Sequence, residues 1–331
     1  MNSRELVYRT LGYDCPERVA HSFWQSDLLV IEHTVKTHAT DWQKVDDRRW
    51  QRMDEWANIW ARLDSTSKGE VIKGAIENIE DIDSYEFPDF SKPADYEVVR
   101  KTRTERPDKW LVGFVPGFAF NIARKLRKFD QYLLDLAAEP AVMHRFHNRI
   151  DIVVEQMIRN YAAAGADSIM FLEDWGTQSQ LFINPRMWQQ EFFPRFEKLC
   201  AIARECNLKV FMHSCGRIEA IIPHLINAGV DLLQLDQPEL HGLDKLASYQ
   251  KHAKITFWSP VDIQTTLQTR NEKLIRAKAR EMLDKLWHAR GGFIAGYYED
   301  NPSIGLEPKW QECACQEFNS YGIRETYRPD S

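Results

Sequence analysis

The segment that decides the fold reads LKVFMHSCGRIEAIIPHLINAGVDLLQLD and covers residues 208–236. Two short apolar runs, 208–214 and 231–236, flank a stretch of helix-like periodicity that ends at Gly229. Nearly continuous apolar runs are typical of parallel strands that are buried on both faces, and a glycine after the last periodic residue is a helix stop signal. The segment therefore predicts one strand–helix–strand unit of a parallel sheet.

The same alternation of apolar runs and helical patterns continues on both sides of this unit. Further strand candidates are residues 18–24, 109–117, 168–174, 253–259 and 292–300. At least seven strands thus follow one another along the chain, and no G-x-G-x-x-G motif of a dinucleotide-binding sheet follows any of them. We therefore predict an α/β fold, a (β/α)8 TIM barrel that forms a single domain over residues 1–331 and begins with a helical segment.

Residues 37–108 differ in texture from the rest of the chain. The runs DEWANIWARLD (54–64) and KGEVIKGAIENI (68–79) have the pattern of two pairing strands with a turn at 65–68, and a loop-like stretch follows them. We interpret 37–108 as a β-hairpin and loop elaboration that is inserted after the first barrel strand.

The composition indicates a soluble globular protein, with 44% hydrophobic and 28% charged residues. A net charge of −6 argues against nucleic acid as the main partner, since phosphate binding needs a concentrated basic face. The basic run 124–128 (RKLRK) is interpreted as the solvated side of a helix or, as the alternative, a docking patch for an acidic partner.

Several features of the sequence predict that the protein is neither a membrane protein nor a secreted protein. No apolar run approaches the roughly 20 residues that span a bilayer, and the N-terminal stretch is charged, without the apolar core of a secretory signal. The six cysteines are scattered and suggest no disulfide framework. A reducing cytoplasm is the expected location.

Metal-ligand side chains fall at the ends of predicted strands, where the βα loops of a barrel converge. His213 and Cys215 are two residues apart, so on an extended strand end both side chains point the same way. Imidazole nitrogen and thiolate sulfur are both good Zn²⁺ ligands. Asp236 at the next strand end is the predicted third ligand, and Glu299 is a further possible one. The alternative is that His213 forms a hydrogen bond with a neighbouring loop and Cys215 is a buried packing residue. In that case Asp236 caps the following helix and Glu299 forms a salt bridge at the rim.

Two adjacent acids, Glu173 and Asp174, end another predicted strand. They are predicted, together with Glu299, to act as general acid or base or to bind polar groups of a substrate. The alternative is that adjacent acids at a strand end cap the helix that follows.

Large aromatic side chains and one amide lie at or near the same strand ends. They are predicted to form the walls of a site for a flat organic substrate, although each aromatic taken alone is more often part of the packing. The predicted substrate-binding residues are Trp24, Trp175, Gln178, Trp258, Tyr297 and Tyr298.

On these residues the chain resembles the uroporphyrinogen decarboxylase superfamily over nearly its whole length. The opening RELVYRTLGYDCPERVAHSFW (4–24) is similar to the start of that superfamily, and FLEDWGTQSQLFINPRMWQQEFFPRFEKL (171–199) resembles its acidic-Trp-Gly turn before a helix. HSCG (213–216) matches the His-x-Cys-Gly of its zinc-dependent corrinoid methyltransferases. That branch transfers a methyl group between a substrate and a cobalamin carrier.

The chain departs from the superfamily's decarboxylases after the first strand. These enzymes carry an arginine-rich motif there that binds the carboxylates of the tetrapyrrole, whereas this chain reads SFWQSDLLVIEH (22–33) without an arginine. Decarboxylation of an octa-anionic porphyrinogen is therefore not expected.

The resemblance to the methyltransferase branch implies Zn²⁺ on His213 and Cys215, with Asp236 at the place of an acidic ligand. A further cysteine, which the branch places after the last strand, is replaced here by the sequence AGYYEDNP (295–302). Glu299 or Tyr298 would have to take its place.

The resemblance, the missing cysteine and the many tryptophans together predict an O-demethylase-type methyltransferase. It would move a methyl group from a methoxylated aromatic or similar methyl ether to cobalamin on a separate corrinoid protein, since the chain has no cobalamin-binding D-x-H-x-x-G. With zinc, the substrate oxygen or sulfur would occupy the open position of the metal; without zinc, Glu173, Asp174 or Glu299 would protonate the departing oxygen.

Two other functions stay open from the sequence. One is a decarboxylase or lyase of a small carboxylic acid, which requires cationic side chains near the rim, where Arg217 is the obvious one. The other is a non-catalytic barrel that binds a ligand. The fold also makes a homodimer plausible, but no residue pattern decides it.

Overall fold

The computed structural model describes residues 1–65 and 67–324. Its strands are β1 (Ala20–His21), β2 (Leu28–Ile31), β3 (Gln43–Asp46), β4 (Arg49–Met53), β5 (Ile59–Arg62), β6 (Glu70–Lys73), β7 (Trp110–Val115), β8 (Ser168–Leu172), β9 (Lys209–His213), β10 (Leu232–Gln234), β11 (Thr256–Ser259) and β12 (Phe293–Ala295).

The α-helices alternate with the later strands. They are α1 (Ser3–Gly12), α2 (Glu97–Glu105), α3 (Ala119–Leu126), α4 (Phe129–Ala138), α5 (Pro140–Ala163), α6 (Pro185–Glu191), α7 (Phe193–Glu205), α8 (Ile222–Ala228), α9 (Leu243–Gln250), α10 (Glu272–Met282) and α11 (Pro308–Tyr321). Short 3₁₀ helices cover Ile79–Ile82, Pro93–Tyr96, Pro238–Leu240, Leu267–Thr269 and Asn301–Ile304, and a π-helical turn covers Leu283–Trp287.

Eight parallel strands form the central sheet in the order β1-β12-β11-β10-β9-β8-β7-β2. From β2 through β7 to β12 and then β1, the strands follow their order along the chain once around a barrel. Strands β1 and β2 are the two edges of the sheet. The edges meet where the Asp27 backbone N–H donates to the His21 carbonyl at 2.9 Å. The predicted TIM barrel is confirmed.

The structure adds one barrel strand that was not predicted, β2. Leu28 and Ile31 in it are buried, but Val30 is 50% exposed, so the strand lacks the continuous burial that marks the others. Only residues 22–27 connect it to β1, without a helix. The insertion therefore follows the second barrel strand. The prediction that it follows the first barrel strand was wrong.

Helix α1 covers the end of the barrel at which the strands begin. Its side chains Leu6, Val7 and Leu11 are buried with the residues that fill the barrel interior. Those interior residues are Leu28, Trp110, Val112, Met170, Phe211, Leu232, Trp258 and Ile294. In the described part of the chain, α1 thus packs over this end of the barrel, and the carboxyl ends of the strands lie at the opposite end.

The insertion forms a four-stranded antiparallel sheet in the order β3-β4-β5-β6. The predicted pairing is confirmed for β5 and β6, where Trp60 pairs with Val71. Within the predicted turn at 65–68, Thr66 lies outside the described residues. Strands β3 and β4 were not predicted, because β3 is exposed along its length and β4 has no fully buried residue.

Two contacts fix the insertion to the barrel. The Ile76 backbone N–H donates to the Leu126 carbonyl at 2.9 Å, and the Arg127 guanidinium donates to the Ile76 carbonyl at 2.8 Å. Helix α3, which ends at Leu126, thus carries the insertion beside the barrel mouth. No helix in the described part of the chain is both long and apolar enough to cross a membrane.

We expect Gly113→Ala in β7 to destabilise the fold by about 1–3 kcal/mol through overpacking. A Cβ atom at this position would lie 2.4 Å from the Tyr161 ring, whose hydroxyl group is held by the Phe114 carbonyl at 2.7 Å and the His33 N–H at 3.0 Å. Denaturant unfolding followed by circular dichroism measures the change. Val30→Ala on the neighbouring strand is the control, and an equally small effect of both substitutions would contradict the packing account.

Candidate functional site

The strand register brings the polar ends of β8, β9 and β10 to one level. Leu172 pairs with His213, and His213 pairs with Gln234. Side chains alternate along a strand, so the residues two positions further on, Asp174 and Cys215, point to the same side as this row. These ends lie at the open end of the barrel, opposite α1.

Three different metal-ligand types meet there. The ligand atoms of Asp174, His213 and Cys215 all lie within 4.8 Å of one another. His213 Nε2 is 3.3 Å from Cys215 Sγ and 3.5 Å from Asp174 Oδ1. We call these three side chains the rim cluster.

Asp236, predicted as the third ligand, is not a member of the rim cluster. Its Oδ1 accepts a hydrogen bond from Gln234 Nε2 at 2.8 Å, and Gln234 Oε1 contacts His213 Nδ1. A carboxylate only accepts, so the amide NH₂ faces Asp236 and the amide oxygen faces the ring. His213 Nδ1 therefore carries a proton, and Nε2 is the nitrogen that faces Cys215 and Asp174.

Asp174 is held in place by two further donors. The Cys215 backbone N–H donates to Asp174 Oδ1 at 2.9 Å, and Arg124 Nη2 donates to Asp174 Oδ2 at 3.2 Å. Burial would raise the pKa of Asp174, but the hydrogen bond and attraction of His213 outweigh it and lower the pKa. Burial likewise opposes protonation of His213, but the bonds to Asp174 and Cys215 raise its pKa.

The donor set of the rim cluster fits a zinc ion. Bond lengths of about 2.0–2.1 Å to nitrogen and about 2.3 Å to sulfur place tetrahedral ligands roughly 3.3–3.6 Å apart. The separations of 3.3 and 3.5 Å around His213 Nε2 agree with this spacing. Three protein ligands with one remaining position are also the usual arrangement of a catalytic zinc.

A cavity of about 1130 Å³ opens over the rim cluster. Met170 and Leu172 of β8 supply apolar surface near the cluster, and one face of α3 and the inserted sheet form the sides. The remaining lining residues are Trp60, Lys68, Gly69, Glu70, Val71, Ile72, Asn121, Arg124, Lys125, Lys128, Phe129, Asp130, Gln234, Asp236, Gln237, Ile263, Gln264, Tyr298, Ser303 and Ile304.

Five of the residues predicted for the site line this cavity. They are Asp174, His213, Cys215, Asp236 and Tyr298. The Tyr298 ring lies 5.0 Å from the ammonium group of Lys68, which comes from the loop between β5 and β6. The inserted sheet therefore reaches across the mouth to the loop that follows β12.

Glu173, predicted as a catalytic acid, faces away from the cavity and caps helix α3. Its Oε1 accepts from the Phe118 N–H at 2.5 Å and from the Asn121 N–H at 3.2 Å. Full burial raises the pKa of Glu173 to about 8 despite these bonds. The position agrees with the capping alternative, because Glu173 is one residue out of phase with the inward-pointing Asp174.

Trp175 is out of phase in the same way and lies in the core between sheet and helices. It is fully buried, and its ring stacks on Phe120 with 4.0 Å between the ring centroids. Substrate contact through Trp175 would require the core to open, so its predicted binding role has no support in the structure.

Apart from Tyr298, the other predicted aromatic residues also lie outside the cavity lining of the described chain. Trp24 is 60% exposed, and Trp258 belongs to the barrel interior, where its Nε1 donates to Ser22 Oγ at 3.0 Å. The Tyr297 hydroxyl group accepts from Asn301 Nδ2 at 2.9 Å. None of these three is among the described residues that line the cavity.

Gln178 and Glu299 complete the predicted set. Gln178 is exposed and donates from Nε2 to Gln237 Oε1 at 3.0 Å, so it contacts the cavity lining only through Gln237. Glu299 is exposed and belongs neither to the rim cluster nor to the described cavity lining.

Sequence reasoning missed the polar face of α3. Asn121, Arg124 and Lys125 follow one another at i, i+3 and i+4, which is one face of α3. Lys128 lies just beyond the end of α3, and all four side chains line the cavity. The run 124–128 was interpreted as a solvated face. The spacing, on a helix that directly follows a barrel strand, was the signal that could have found it.

Comparison with known proteins identifies the family of the chain. The sequence pattern of the family described as uroporphyrinogen decarboxylase (URO-D) matches residues 64–307. The chain belongs to this family. Uroporphyrinogen decarboxylases of two strains of Thermus thermophilus are 24% identical to it over 178 residues, which is 51% of this chain and 50% of theirs. The chain thus spans about half the length of the curated relatives it matches.

A solved methyltransferase from Methanosarcina mazei has the same fold. Its TM-score is 0.64 at 14% identity, covering 96% of this chain and 85% of that chain. The resemblance inferred from the sequence is confirmed at the level of the family and of the barrel.

We expect the protein to bind one zinc ion through the rim cluster. Asp174→Asn, His213→Ala and Cys215→Ser should each abolish stoichiometric zinc binding, whereas Asp236→Asn should weaken it roughly 10- to 100-fold through the orientation of His213. Elemental analysis and competitive zinc titration measure this. Loss of zinc in Asp236→Asn with full binding in Asp174→Asn would make Asp236 the ligand instead.

We expect Glu173→Ala to destabilise the protein by about 1–2 kcal/mol because α3 loses its capping acceptor. Glu173→Gln keeps an acceptor oxygen for the Phe118 and Asn121 N–H groups and should fold and bind zinc like the wild type. Denaturant unfolding and zinc titration compare the two variants. A Glu173→Gln protein that is fully stable but inactive would instead support proton transfer by Glu173.

Proposed function

We propose that the protein is the substrate-activating methyltransferase of a corrinoid-dependent demethylation system. It would transfer a methyl group from a small methylated substrate, a methoxylated aromatic or similar methyl ether, to cobalamin on a separate carrier protein. The observation that carries the proposal is the rim cluster of Asp174, His213 and Cys215 at the base of a large cavity. The fold shared with a methyltransferase supports it.

The rim cluster would hold zinc, which as a Lewis acid makes the substrate heteroatom a better leaving group. The surrounding residues keep the three ligands in place. Arg124 holds the outer oxygen of Asp174, and Gln234, itself bonded to Asp236, fixes the tautomer of His213. Such outer partners raise the affinity of a site because the ligands are oriented before binding.

The remaining cavity supports a small, flat and partly apolar substrate. Met170 and Leu172 offer apolar surface next to the rim cluster, and Trp60 and Tyr298 offer aromatic surface further out. A pocket of about 1130 Å³ is slightly larger than the roughly 300–1,000 Å³ that is usual for small-molecule sites. The methylated end of the substrate would lie at the cluster, with the ring between these side chains.

One observation favours a second function, decarboxylation of a small carboxylic acid. Arg124, Lys125 and Lys128 give the cavity a cationic side, which such a reaction needs to bind its substrate. Arg217, the cation expected at the rim from the sequence, pairs with Glu219 at 3.0 Å and is not part of the described cavity lining. Release of CO₂ without any corrinoid would identify this activity.

We expect purified protein, zinc and reduced cobalamin to form methylcobalamin from at least one member of a panel of methyl ethers, methylamines and methyl thioethers. His213→Ala and Cys215→Ser should lower the rate at least about 100-fold because the leaving heteroatom is no longer activated. The exposed His252→Ala and the distant Cys313→Ser are matched controls that should keep it. Absorbance of methylcobalamin measures the reaction.

Absence of methyl transfer from every substrate, also with a corrinoid carrier protein, would overturn the proposal. Tight binding of a panel member without turnover would then indicate a ligand-binding barrel.

A further inference from the structure

Lys125 is a cation of the cavity whose ammonium group has no carboxylate partner in the described part of the chain. It lies on the α3 face that lines the cavity and is half-buried. Its ammonium group is 5.5 Å from the centroid of the Trp60 ring. Within residues 1–65 and 67–324, no carboxylate oxygen lies within 4.0 Å of it.

The neighbouring cations of the same run are all paired. Arg124 lies 3.2 Å from Asp174, Arg127 lies 2.7 Å from Asp135, and Lys128 lies 3.3 Å from Asp130. Arg124 therefore pairs with a residue of the rim cluster, and Arg127 and Lys128 pair with residues of α4. Lys125 differs from them because its ammonium group faces the cavity without a carboxylate.

The acids nearest to Lys125 in the insertion already have other partners. Asp54 accepts hydrogen bonds from the Trp56 N–H, the Asn58 N–H and side-chain amide, and Trp60 Nε1. Glu55 accepts from Trp56 Nε1 at 2.9 Å. These acids, like Asp174 of the rim cluster, attract Lys125 without lying within 4.0 Å of its ammonium group, so an anion that enters the cavity would not have to displace a paired carboxylate.

The surroundings also make an unpaired ammonium group costly there. Burial lowers the pKa of Lys125, and repulsion by Arg124 lowers it further. An anion that enters the cavity would stabilise the charged form of the ammonium group, because a partly desolvated charge is stabilised by a direct partner of opposite charge.

We propose that Lys125 binds a carboxylate group of the substrate, while the other end of the substrate reaches the rim cluster. The second part rests on the proposed function. A carboxylate is the simplest anionic partner for a single ammonium group, whereas phosphate sites combine several donors, such as the backbone N–H groups of a helix N-terminus. The substrate class is therefore an aromatic or similar small acid that carries a methyl group.

Pairs of ligands that differ only in charge test this subsite. Isothermal titration of the zinc-loaded protein compares 2-, 3- and 4-methoxybenzoate with the corresponding methoxybenzamides. At least one acid should bind the wild type more tightly than its amide. Lys125→Met should lower the affinity for that acid roughly 10- to 100-fold and leave the amide unchanged.

Two variants serve as controls. Lys125→Arg keeps the positive charge and should retain the preference for the acid. Lys101→Met removes an exposed ammonium group of the outer helix α2, whose side chain is 72% exposed, and should change neither affinity. Inorganic phosphate, added as a competitor, should not displace the acid.

Three outcomes would overturn the subsite. These are equal binding of acid and amide by the wild type in all three pairs, unchanged acid binding in Lys125→Met, and displacement of the acid by phosphate. The titration contains no corrinoid, so it is independent of methyl transfer. If acid binding depends on Lys125 but no methyl transfer occurs, the carboxylate subsite stands and the methyltransferase proposal is refuted. If neutral ethers donate their methyl group and Lys125→Met does not affect this, the methyltransferase proposal stands and the subsite is refuted.

Discussion

The site depends on the alternation of side chains along strands that are held in register. Leu172, His213 and Gln234 form one row across β8, β9 and β10. Residues two positions further point the same way, which places Asp174 and Cys215 beside each other although they are far apart in the chain. The hydrogen bonds between parallel strands thus fix the distances within the rim cluster before any ligand is present, at the end of the barrel opposite α1.

The same alternation separates the residues that serve the site from those that serve the fold. Asp174 points into the cavity, while Glu173 and Trp175 on either side of it point to the helices. Glu173 then caps α3, and α3 in turn presents Arg124 to Asp174. The end of β8 therefore supplies both one member of the rim cluster and the cap of the helix that supports it.

The sequence was sufficient for the barrel and for part of the site. Apolar runs and helical patterns predict most barrel strands, and the spacing of His213 and Cys215 predicts that they act together. The sequence was not sufficient for the third ligand, because the choice between Asp174 and Asp236 depends on the path of each chain segment beyond its strand. β2 was missed because its outer face is partly exposed, and the ion pairs of α3 depend on contacts between distant segments.

The central claim is that Asp174, His213 and Cys215 form one metal centre at the mouth of the barrel. A crystal structure of the zinc-loaded protein, with anomalous diffraction recorded on both sides of the zinc absorption edge, tests it most directly. The account predicts one strong anomalous peak bonded to His213 Nε2, Cys215 Sγ and a carboxylate oxygen of Asp174, with Asp236 still bonded to Gln234. A zinc ion bound by Asp236 or elsewhere, or no peak at this position, would contradict it.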